Sequence, residues 1–435
     1  MKHKKALCLL APIMAFSVLI AGCSLNSVSV TSIEKTASYA TEDVYTVYYS
    51  DGTSSSFTVQ HGASVTVQDL FERYQEEYGD SLTYEQFLQK YLTANTPSEL
   101  AVNRALRSSF QISASNMQTS QSGSGVLYAI NEEKDDAYIL TNYHVAYIAG
   151  TRSGAIASSF KCQLYGSAQT KLEGIYVGGV AATDLAVLRV SLAALRRVNE
   201  DVTPVTLATD YCVGQTVYAI GNAEGQGISA TTGIVSVDSE EISLSVDGTV
   251  RKHRLMRIDA AIYPGNSGGG LFNTDGELIG LTNSGDEKDQ NINFAIPLSV
   301  VKGCADNLLH YYSSGEGRTA SAYKISLGIT INELLQNSRF VYNEVTGKGY
   351  IKEDIVIGKV NLFSVASSMG LKVNDVLTAI EVNGTQYPLN RAYEIYDILL
   401  TVRAGDELKV KFKRSDVEET SSAYTVKTGD LDAIE

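Results

Sequence analysis

An all-β barrel or sandwich is the fold that residues 110–297 predict, with smaller domains of helices and strands on either side. Within these limits the chain breaks into short β-type runs separated by Gly, Asn and Asp, of which residues 185–190 and 278–282 are examples. Many short strands joined by tight turns are typical of closed or packed antiparallel sheets. The chain has 435 residues, 44% of them hydrophobic and 19% charged, which allows two or three domains with buried cores.

The first 22 residues predict an export signal. Three lysines precede an apolar stretch over residues 6–20, which is too short to span a bilayer comfortably. Residues 19–23, Leu-Ile-Ala-Gly-Cys, resemble a bacterial lipobox, in which the cysteine is acylated, although Ile20 stands where Leu is usual. The resemblance implies lipidation of Cys23 and an anchor on the extracytoplasmic face of a bacterial cell membrane. The alternative is an ordinary cleaved signal whose cysteine is incidental.

The net charge argues against two kinds of partner. The formal charge is −14, and removal of residues 1–22 takes away three lysines and no acid, which leaves −17. An acidic surface repels phosphate backbones and anionic lipid headgroups. We therefore expect no nucleic-acid binding, and we expect membrane attachment through lipidated Cys23 rather than through surface charge.

Three cysteines remain outside the signal and the lipobox: Cys162, Cys212 and Cys304. Their number is odd and their spacing is wide, so at most one disulfide can form and no metal-binding pair exists. Buried free thiols are the interpretation that we favour. We expect neither a metal nor a cofactor.

The segment before the β-rich region predicts a tether and a small module. Residues 23–40 are rich in Ser and Thr and predict a flexible tether. Residues 41–95 predict a module in which two β-type runs around Asp51-Gly52 form a hairpin. Apolar residues at helical spacing over residues 70–78 and 84–92 predict two amphipathic helices after it. The sequence does not indicate the function of this module.

Three residues in the β-rich segment can together perform serine hydrolysis. A hydroxyl is a poor nucleophile at neutral pH, so it needs a neighbouring base, an orienting acid and donors for the developing oxyanion. His144 ends a predicted strand, Asp184 begins another, and Ser267 lies in the Gly-Asn-Ser-Gly-Gly run of residues 265–269. The order His, Asp, Ser matches one of the chain orders known for such triads. Each residue alone is more often structural, and their combination is what predicts chemistry.

In this arrangement the chain resembles a trypsin-like protease of the HtrA/Deg family. Supporting stretches cover about residues 98–310, namely 218–222, 232–235, 259–262, 264–269 and 293–297. The resemblance implies a chymotrypsin-like protease domain over residues 98–312, built of two packed six-stranded β-barrels with the active site in the cleft between them. A lapsed protease that retains the three residues is the alternative.

The resemblance also implies a role for each site residue. Ser267 attacks the peptide carbonyl, His144 takes its proton and returns it to the leaving amine, and Asp184 holds the imidazole in the right tautomer. The backbone N–H groups of Gly265 and Ser267, with Asn266 between them, form the oxyanion hole.

The specificity pocket is expected to be apolar. Trypsin-like cleavage after Lys or Arg uses an acid six positions before the nucleophile, where this chain has Ala261. Leu281 is expected to line the pocket too. We therefore expect small or medium apolar P1 residues such as Val, Ala or Leu.

The last part of the chain resembles a PDZ domain over residues 322–430, after a Gly/Ser-rich linker at residues 313–321. The stretch Ser326-Leu327-Gly328-Ile329 resembles the loop whose N–H groups bind a peptide carboxylate.

Two further parts of this domain follow the PDZ pattern. Residues 369–377 resemble the next turn and strand, and an apolar helix face within residues 392–400 is the expected wall of the peptide groove. A longer polar insertion at residues 332–354 departs from that pattern.

These expectations describe a membrane-anchored serine endopeptidase that cuts unfolded or damaged exported polypeptides, with a PDZ domain that binds C-terminal or hydrophobic peptides. Family members commonly form trimers, so we expect a homotrimer with its contact near a helix that Ser98 caps and that runs to about Arg107. A dedicated processing protease would differ only in substrate. The rival, from another class, is a surface-tethered binding protein or chaperone in which the triad is idle.

Overall fold

The computed structural model describes residues 30–38, 42–49, 52–60, 71–72, 75, 83, 97–149, 154–167, 170–286, 289–312, 319–333, 337–344 and 347–434. The chain divides into two compact units, residues 1–94 and 95–435. The predicted signal and Cys23 lie outside the described residues, as do most residues of the two helices predicted within 70–92. Of the helices in the described ranges, none is long and apolar enough to cross a bilayer.

A three-stranded antiparallel sheet forms most of the described part of the first unit. Its strands lie in the order β1-β2-β3, with bounds β1 Val30–Ser38, β2 Glu42–Tyr49 and β3 Ser54–Gln60. The predicted hairpin is formed by β2 and β3. β1 differs from the prediction, because its residues fall within the expected flexible tether.

The strand β1 is ordered by its neighbour. Several of its residues are β-branched, and the hydroxyl of Thr36 lies 2.8 Å from that of Thr46, which in turn lies 2.8 Å from the hydroxyl of Ser56 on β3. Composition alone cannot reveal such cross-strand pairing, which turns a Ser/Thr-rich segment into a strand.

The second unit contains two closed six-stranded barrels. The first has the strand order β10-β11-β6-β5-β4-β9. Its bounds are β4 Ser109–Ser115, β5 Ser120–Asn131, β6 Asp136–Asn142, β9 Ser159–Leu164, β10 Leu172–Val180 and β11 Leu185–Ser191, with the short pair β7 Tyr147–Ile148 and β8 Ala155–Ile156 beside it. Inward-pointing residues of these strands, such as Phe110, Ile112 and Leu127, are almost completely buried.

The second barrel has the strand order β12-β13-β14-β17-β16-β15. Its bounds are β12 Thr216–Gly221, β13 Ser229–Ser245, β14 Val250–Ile258, β15 Gly270–Phe272, β16 Leu278–Asp286 and β17 Asp289–Pro297. Its core includes Val217, Met256 and Phe272, which are completely buried. The two barrels confirm the chymotrypsin-like fold that the resemblance implies.

The protease domain also contains four α-helices among its described residues, with bounds α1 Pro97–Leu106, α2 Tyr143–Ala146, α3 Leu192–Val198 and α4 Leu298–Tyr311. α1 packs on the second barrel through Ala101 and Ala105, which are both buried. Ser98 lies inside α1, and its hydroxyl accepts a hydrogen bond from Tyr218 Oη at 2.6 Å. The prediction that Ser98 caps this helix is therefore wrong, because the helix already includes Pro97, whose fixed φ suits a first turn.

The C-terminal domain is built on an antiparallel sheet with the order β19-β22-β23-β25-β26, with β24 on β23 and β27 on β25. The bounds are β19 Ile329–Ile331, β22 Ile355–Val360, β23 Val376–Val382, β24 Thr385–Pro388, β25 Glu407–Arg414, β26 Val417–Thr420 and β27 Tyr424–Thr425. Two helices, α5 Val365–Ser368 and α6 Glu394–Leu399, accompany it. A separate pair joins β18 Ala322–Ile325 to β28 Leu431–Ile434.

The insertion at residues 332–354 forms a hairpin of β20 Ser338–Asn343 and β21 Lys348–Glu353. It follows β19, an edge strand of the main sheet. Phe340 and Tyr342 of this hairpin are largely exposed.

The C-terminal domain contacts the second barrel next to α6. Arg254 of β14 pairs with Asp397, and its guanidinium lies 4.3 Å from the centroid of the Tyr393 ring. Arg391 pairs with Asp238 at 3.1 Å. Arg254 and Asp397 are mostly buried, so removing either partner would leave the other charge buried and unpaired.

Candidate active site

Strand register brings the first two site residues together. His144 lies in α2, directly after β6, and Asp184 lies directly before β11. β6 and β11 are antiparallel neighbours in which Asn142 is opposite Leu185. The end of one strand therefore meets the start of the other, and His144 faces Asp184.

Asp184 is held by several hydrogen bonds. Its Oδ2 lies 2.6 Å from His144 Nδ1, and its Oδ1 accepts from the backbone N–H of His144 at 2.8 Å. Its carbonyl accepts from the Tyr143 N–H and from Asn142 Nδ2, each at 3.0 Å. Its φ of 53° is left-handed, a conformation that Asp tolerates better than most residues. These contacts fix the carboxylate against the imidazole.

The imidazole of His144 is set up as a base. Its side chain is 34% exposed, whereas that of Asp184 is 1% exposed. Burial lowers the pKa of His144, but the charge of Asp184 and its hydrogen bond to Nδ1 outweigh burial, so the pKa lies above its ordinary value. An ionised Asp184 also favours the tautomer with the proton on Nδ1, which leaves Nε2 free to accept a proton.

Asn283 is a site residue that the sequence analysis missed. It lies on β16 of the second barrel, it is 1% exposed, and its Nδ2 donates to Asp184 Oδ2 at 2.6 Å. The signal in the sequence is a polar pair, Thr282-Asn283, at the end of the apolar run. The predicted strand of residues 278–282 stops one residue before Asn283.

Ser267 contacts the backbone of Asn283. Its Oγ donates to the backbone carbonyl of Asn283 at 2.9 Å. Ser267 and His144 both belong to the described residues, and no hydrogen bond joins them. The structure therefore brings His144 and Asp184 into direct contact and connects Ser267 to them through Asn283.

The loop around Gly265 has a conformation that only glycine adopts readily. Its φ is +98°, and a Cβ at this position would lie 2.3 Å from the carbonyl oxygen of Asn222. The carbonyl of Pro264 accepts from the Glu224 N–H at 2.7 Å. Because the C=O and N–H of a trans peptide point in opposite directions, the Gly265 N–H points away from Glu224.

The N–H groups of Gly265 and Ser267 donate no hydrogen bond within the part of the chain that the structure describes. Asn266 between them is buried and donates its own N–H to the Tyr263 carbonyl at 2.9 Å. Two neighbouring backbone donors next to a serine hydroxyl are what stabilisation of an oxyanion requires.

Ser124 of the first barrel holds this loop and was also missed from sequence. Its Oγ donates to the Gly265 carbonyl at 2.7 Å and accepts from the Asn222 N–H at 2.7 Å. Its backbone N–H donates to the Ser267 carbonyl at 2.8 Å. The sequence around Ser124 gives no signal of these contacts, because they depend on how the two barrels pack.

The two predicted pocket residues differ in burial. Ala261 is half-buried, and its carbonyl accepts from Thr231 Oγ1 at 2.8 Å. Leu281 is completely buried in the core of the second barrel. It therefore lacks the exposed surface that the wall of an open pocket needs, and the expectation that it lines the pocket is not supported.

The predicted PDZ loop contains a second glycine with a left-handed backbone conformation. Gly328 has a φ of +70°, and its N–H donates to Ser326 Oγ at 3.3 Å. Leu327 is buried, and Ile329 begins the edge strand β19. The helix α6, which the sequence places along the groove, contributes Ile395 to the domain core.

The three cysteines of the second unit are free thiols. Cys162 and Cys304 are completely buried, and burial raises the pKa of each to about 12. Cys212 is only half-buried. Free thiols are what the sequence predicted.

Comparisons with known proteins identify the family of this chain. A family model described as a trypsin-like peptidase domain matches residues 123–281. The chain is 33% identical over 328 residues to the serine protease Do-like HtrA of Bacillus subtilis, which covers 73% of this chain and 66% of that relative. It is 30% identical over 331 residues to the serine protease Do-like HtrA of Lactococcus lactis subsp. lactis, which covers 74% of each protein.

Among solved structures, the chain is similar to the HtrA-type protease AlgW with tripeptide, with a TM-score of 0.50 and 24% sequence identity. The match covers 77% of this chain and 97% of that one. At this identity the likeness concerns the fold.

Proposed function

The chain belongs to the HtrA family of serine endopeptidases, and from this premise we propose that it cleaves unfolded or damaged exported polypeptides at the cell surface through an acyl-enzyme on Ser267. The observation that carries the proposal is the close contact of His144 Nδ1 with the buried Asp184 carboxylate at 2.6 Å, connected through Asn283 to the hydroxyl of Ser267. A base fixed in this way beside a serine is what acyl transfer needs.

In the proposed mechanism, His144 Nε2 takes the proton of Ser267 as Oγ attacks the peptide carbonyl. Asp184 keeps the proton on Nδ1 and stabilises the imidazolium that forms. The imidazolium then gives its proton to the leaving amine, and water releases the acyl group by the same route. No cofactor takes part.

The N–H groups of Gly265 and Ser267 would stabilise the oxyanion, with Asn266 between them. The contact of Pro264 O with the Glu224 N–H, at 2.7 Å, supports this role because it turns the Gly265 N–H away from Glu224 before substrate binds. Ala261, in the stretch that leads into this loop, would allow small or medium apolar P1 side chains.

The C-terminal domain would bind peptides as a PDZ domain. The loop of Ser326, Leu327, Gly328 and Ile329 would take the carboxylate, and the edge strand β19 would pair with an extended C-terminal or hydrophobic segment. The left-handed Gly328 and the edge position of β19 support this proposal.

Lipidation of Cys23 would anchor the enzyme on the extracytoplasmic face of a bacterial cell membrane. The lipobox-like residues 19–23 support this proposal. We also propose a homotrimer with its contact near α1, whose Leu100 is 48% exposed.

Digestion of casein by purified residues 24–435 tests the proposed nucleophile. We expect digestion by the parent chain, and we expect Ser267→Ala to lower the rate by about 10⁴-fold or more, because the variant has no group to form the acyl-enzyme. Matched melting temperatures would show that the variant is folded. Absence of digestion by both folded proteins would instead favour a binding protein or chaperone with an idle triad.

A further inference from the structure

The helix that carries His144, α2, is a single turn and cannot satisfy its own carbonyl groups. Its backbone bond runs from the Tyr147 N–H to the Tyr143 carbonyl. A helix leaves its last four carbonyls without donors from within the helix, and in a helix of four residues these include the carbonyl of His144. Donors for the end of α2 must therefore come from other elements.

Gln121, near the start of β5, supplies such a donor. Its side-chain Nε2 donates to the carbonyls of His144 and Val145, each at 2.8 Å, and to the carbonyl of Tyr147 at 3.0 Å. An amide nitrogen has two hydrogens, so the three oxygens share them. The opposite orientation of the amide would place its oxygen against three carbonyl oxygens, so these contacts fix which end of the amide faces α2.

The helix α2 also packs directly on β5 beside Gln121. Gly123 lies two residues further along the strand, on the same face as Gln121. A Cβ built at Gly123 would lie 2.6 Å from both terminal methyl carbons of Val145. Because Gly123 has no side chain, α2 approaches β5 closely enough for the Gln121 amide to reach its carbonyls.

The backbone of His144 is held at both its N–H and its carbonyl. The N–H donates to Asp184 Oδ1 at 2.8 Å, and the carbonyl accepts from Gln121. The ring makes a third contact, between Nδ1 and Asp184 Oδ2 at 2.6 Å. Loss of the bond to the carbonyl would leave α2 free to move away from Asp184, and both contacts with the carboxylate would then lengthen.

We propose that Gln121 is a positioning residue for the base: its amide holds the backbone of α2 and so keeps the His144 imidazole against Asp184. The inference rests on the proposed role of His144 as the general base. Within the described residues, the Gln121 side chain makes no hydrogen bond to the imidazole ring or to Ser267, so its effect on the reaction passes through the backbone of α2.

Gln121→Met in residues 24–435 tests this role, because methionine has a similar length but no donor. On a fluorogenic peptide with Val at P1, we expect kcat to fall about ten-fold, with little change in KM. Asp184 raises the pKa of His144, so a looser contact lowers that pKa. The base then stays neutral to lower pH, and the acid limb of kcat against pH should move to lower pH.

Gln121→Glu separates the donor from the shape of the side chain. Glutamate matches glutamine in shape more closely than methionine does, but its ionised carboxylate has only acceptors and is repelled by the carbonyl oxygens of α2. At neutral pH we therefore expect a kcat for Gln121→Glu that is no higher than that of Gln121→Met. Packing alone predicts the reverse order.

Gln163→Met is the matched control. Gln163 lies on β9 of the same barrel, is half-buried like Gln121, and its Nε2 donates to the Ser167 carbonyl at 2.8 Å. It should keep the kcat, KM and acid limb of the parent chain. An equal loss of kcat in Gln163→Met and Gln121→Met would show that the loss is not specific to α2 and would refute the inference.

Melting temperatures show which variants are folded. A folded Gln121→Met that keeps the parent's kcat, or that loses kcat with an unmoved acid limb, refutes the inference, and so does a kcat above that of Gln121→Met in Gln121→Glu. If Gln121→Met does not fold, the kcat of Gln121→Glu decides: the parent's value refutes the inference, and a fall of about ten-fold or more supports it.

His144→Ala and Ser267→Ala separate this inference from the proposed function. We expect both to lose kcat by about 10⁴-fold or more. Parent-like activity in either would refute the proposed function. An unchanged kcat in Gln121→Met, beside inactive His144→Ala and Ser267→Ala, would leave the proposed function in place and refute the inference alone.

Discussion

The first barrel presents His144 and Asp184 with their mutual hydrogen bonds already made, whereas the second barrel presents Ser267 on a loop in which the Gly265 and Ser267 N–H groups donate to nothing within the described residues. The carboxylate is buried, and a buried charge without partners is costly, so its contacts must be complete before substrate arrives. The donors of the second barrel must instead stay free for charge that develops only during the reaction. The contacts of His144 and Asp184 are therefore complete in the fold, whereas two N–H donors beside Ser267 are unused within the described residues.

The largest loss of kcat is expected from a substitution in the first barrel. Asp184→Asn should lower kcat by about 10⁴-fold, because an amide favours the wrong imidazole tautomer. His144 acts as a base only when neutral, so activity falls as the pH drops through its pKa. Asp184 raises that pKa and burial lowers it. The acid limb of the variant's residual activity should therefore move to lower pH. The measurement is kcat/KM against pH.

The matched control is Asp135→Asn, since Asp135 has the same left-handed φ, 54°, but lies exposed in the turn before β6. It should leave both kcat and the acid limb as in the parent chain. An Asp184→Asn profile with an unmoved acid limb would show that the first barrel does not set the basicity of His144.

An intermediate effect is expected from the loop of the second barrel. Gly265→Ala places a methyl group 2.3 Å from the Asn222 carbonyl at a φ of +98°, so the loop must shift and move the Gly265 N–H. Loss of one oxyanion donor predicts a fall in kcat of about 10²- to 10³-fold with a smaller change in KM. Steady-state kinetics on a peptide substrate measure both.

Gly248→Ala is the control for backbone strain in the same barrel. Its φ is +87°, and nothing lies within 4 Å of a Cβ built there. It should reduce stability by about 1 kcal/mol and leave kcat unchanged. Equal losses of kcat in the two glycine variants would mean that strain, and not the position of an N–H group, explains the effect of Gly265→Ala.

The smallest effect is expected where the barrels meet. Ser124→Ala removes the hydroxyl that holds the Gly265 carbonyl and the Asn222 N–H, each at 2.7 Å. Loss of these bonds predicts a fall in kcat of about ten-fold. Because this hydroxyl bonds neither His144 nor Asp184, the acid limb should stay where it is. An acid limb that moves in Ser124→Ala would contradict the separate functions of the two barrels. Ser113→Ala on β4 is the control.

Much of the site could be predicted from the sequence because its chemistry is local. His144 follows an apolar strand run, Asp184 precedes another, and Ser267 stands among glycines. Asn283 could not be predicted in this way, because its amide reaches Asp184 only through the packing of β16 against the first barrel. The bulge at Asn283 depends on the register with β17, and register is decided by pairing rather than by composition.

The remaining differences have similar causes. Leu281 was expected to line a pocket, but its side chain points into the barrel core, and which face of a strand is inward depends on the closed sheet. Residues 30–38 were assigned to a tether, but they pair with β2, a contact that a Ser/Thr-rich composition conceals. Ser98 was expected to cap α1 and lies one residue inside it, an error of the size that helix ends usually carry.

By itself, the sequence predicted an all-β barrel or sandwich, selected His144, Asp184 and Ser267 as candidate site residues and favoured free thiols, whereas the two-barrel arrangement came from the family resemblance of its motifs. Residue type, strand pattern and chain order, which are read along one dimension, are enough for these predictions. Only the tertiary structure decided which polar groups complete the site, Asn283 and Ser124 above all, and where the Ser267 hydroxyl points. Those contacts join residues about 100 positions or more apart or depend on strand register, and such contacts are made by packing rather than by local sequence.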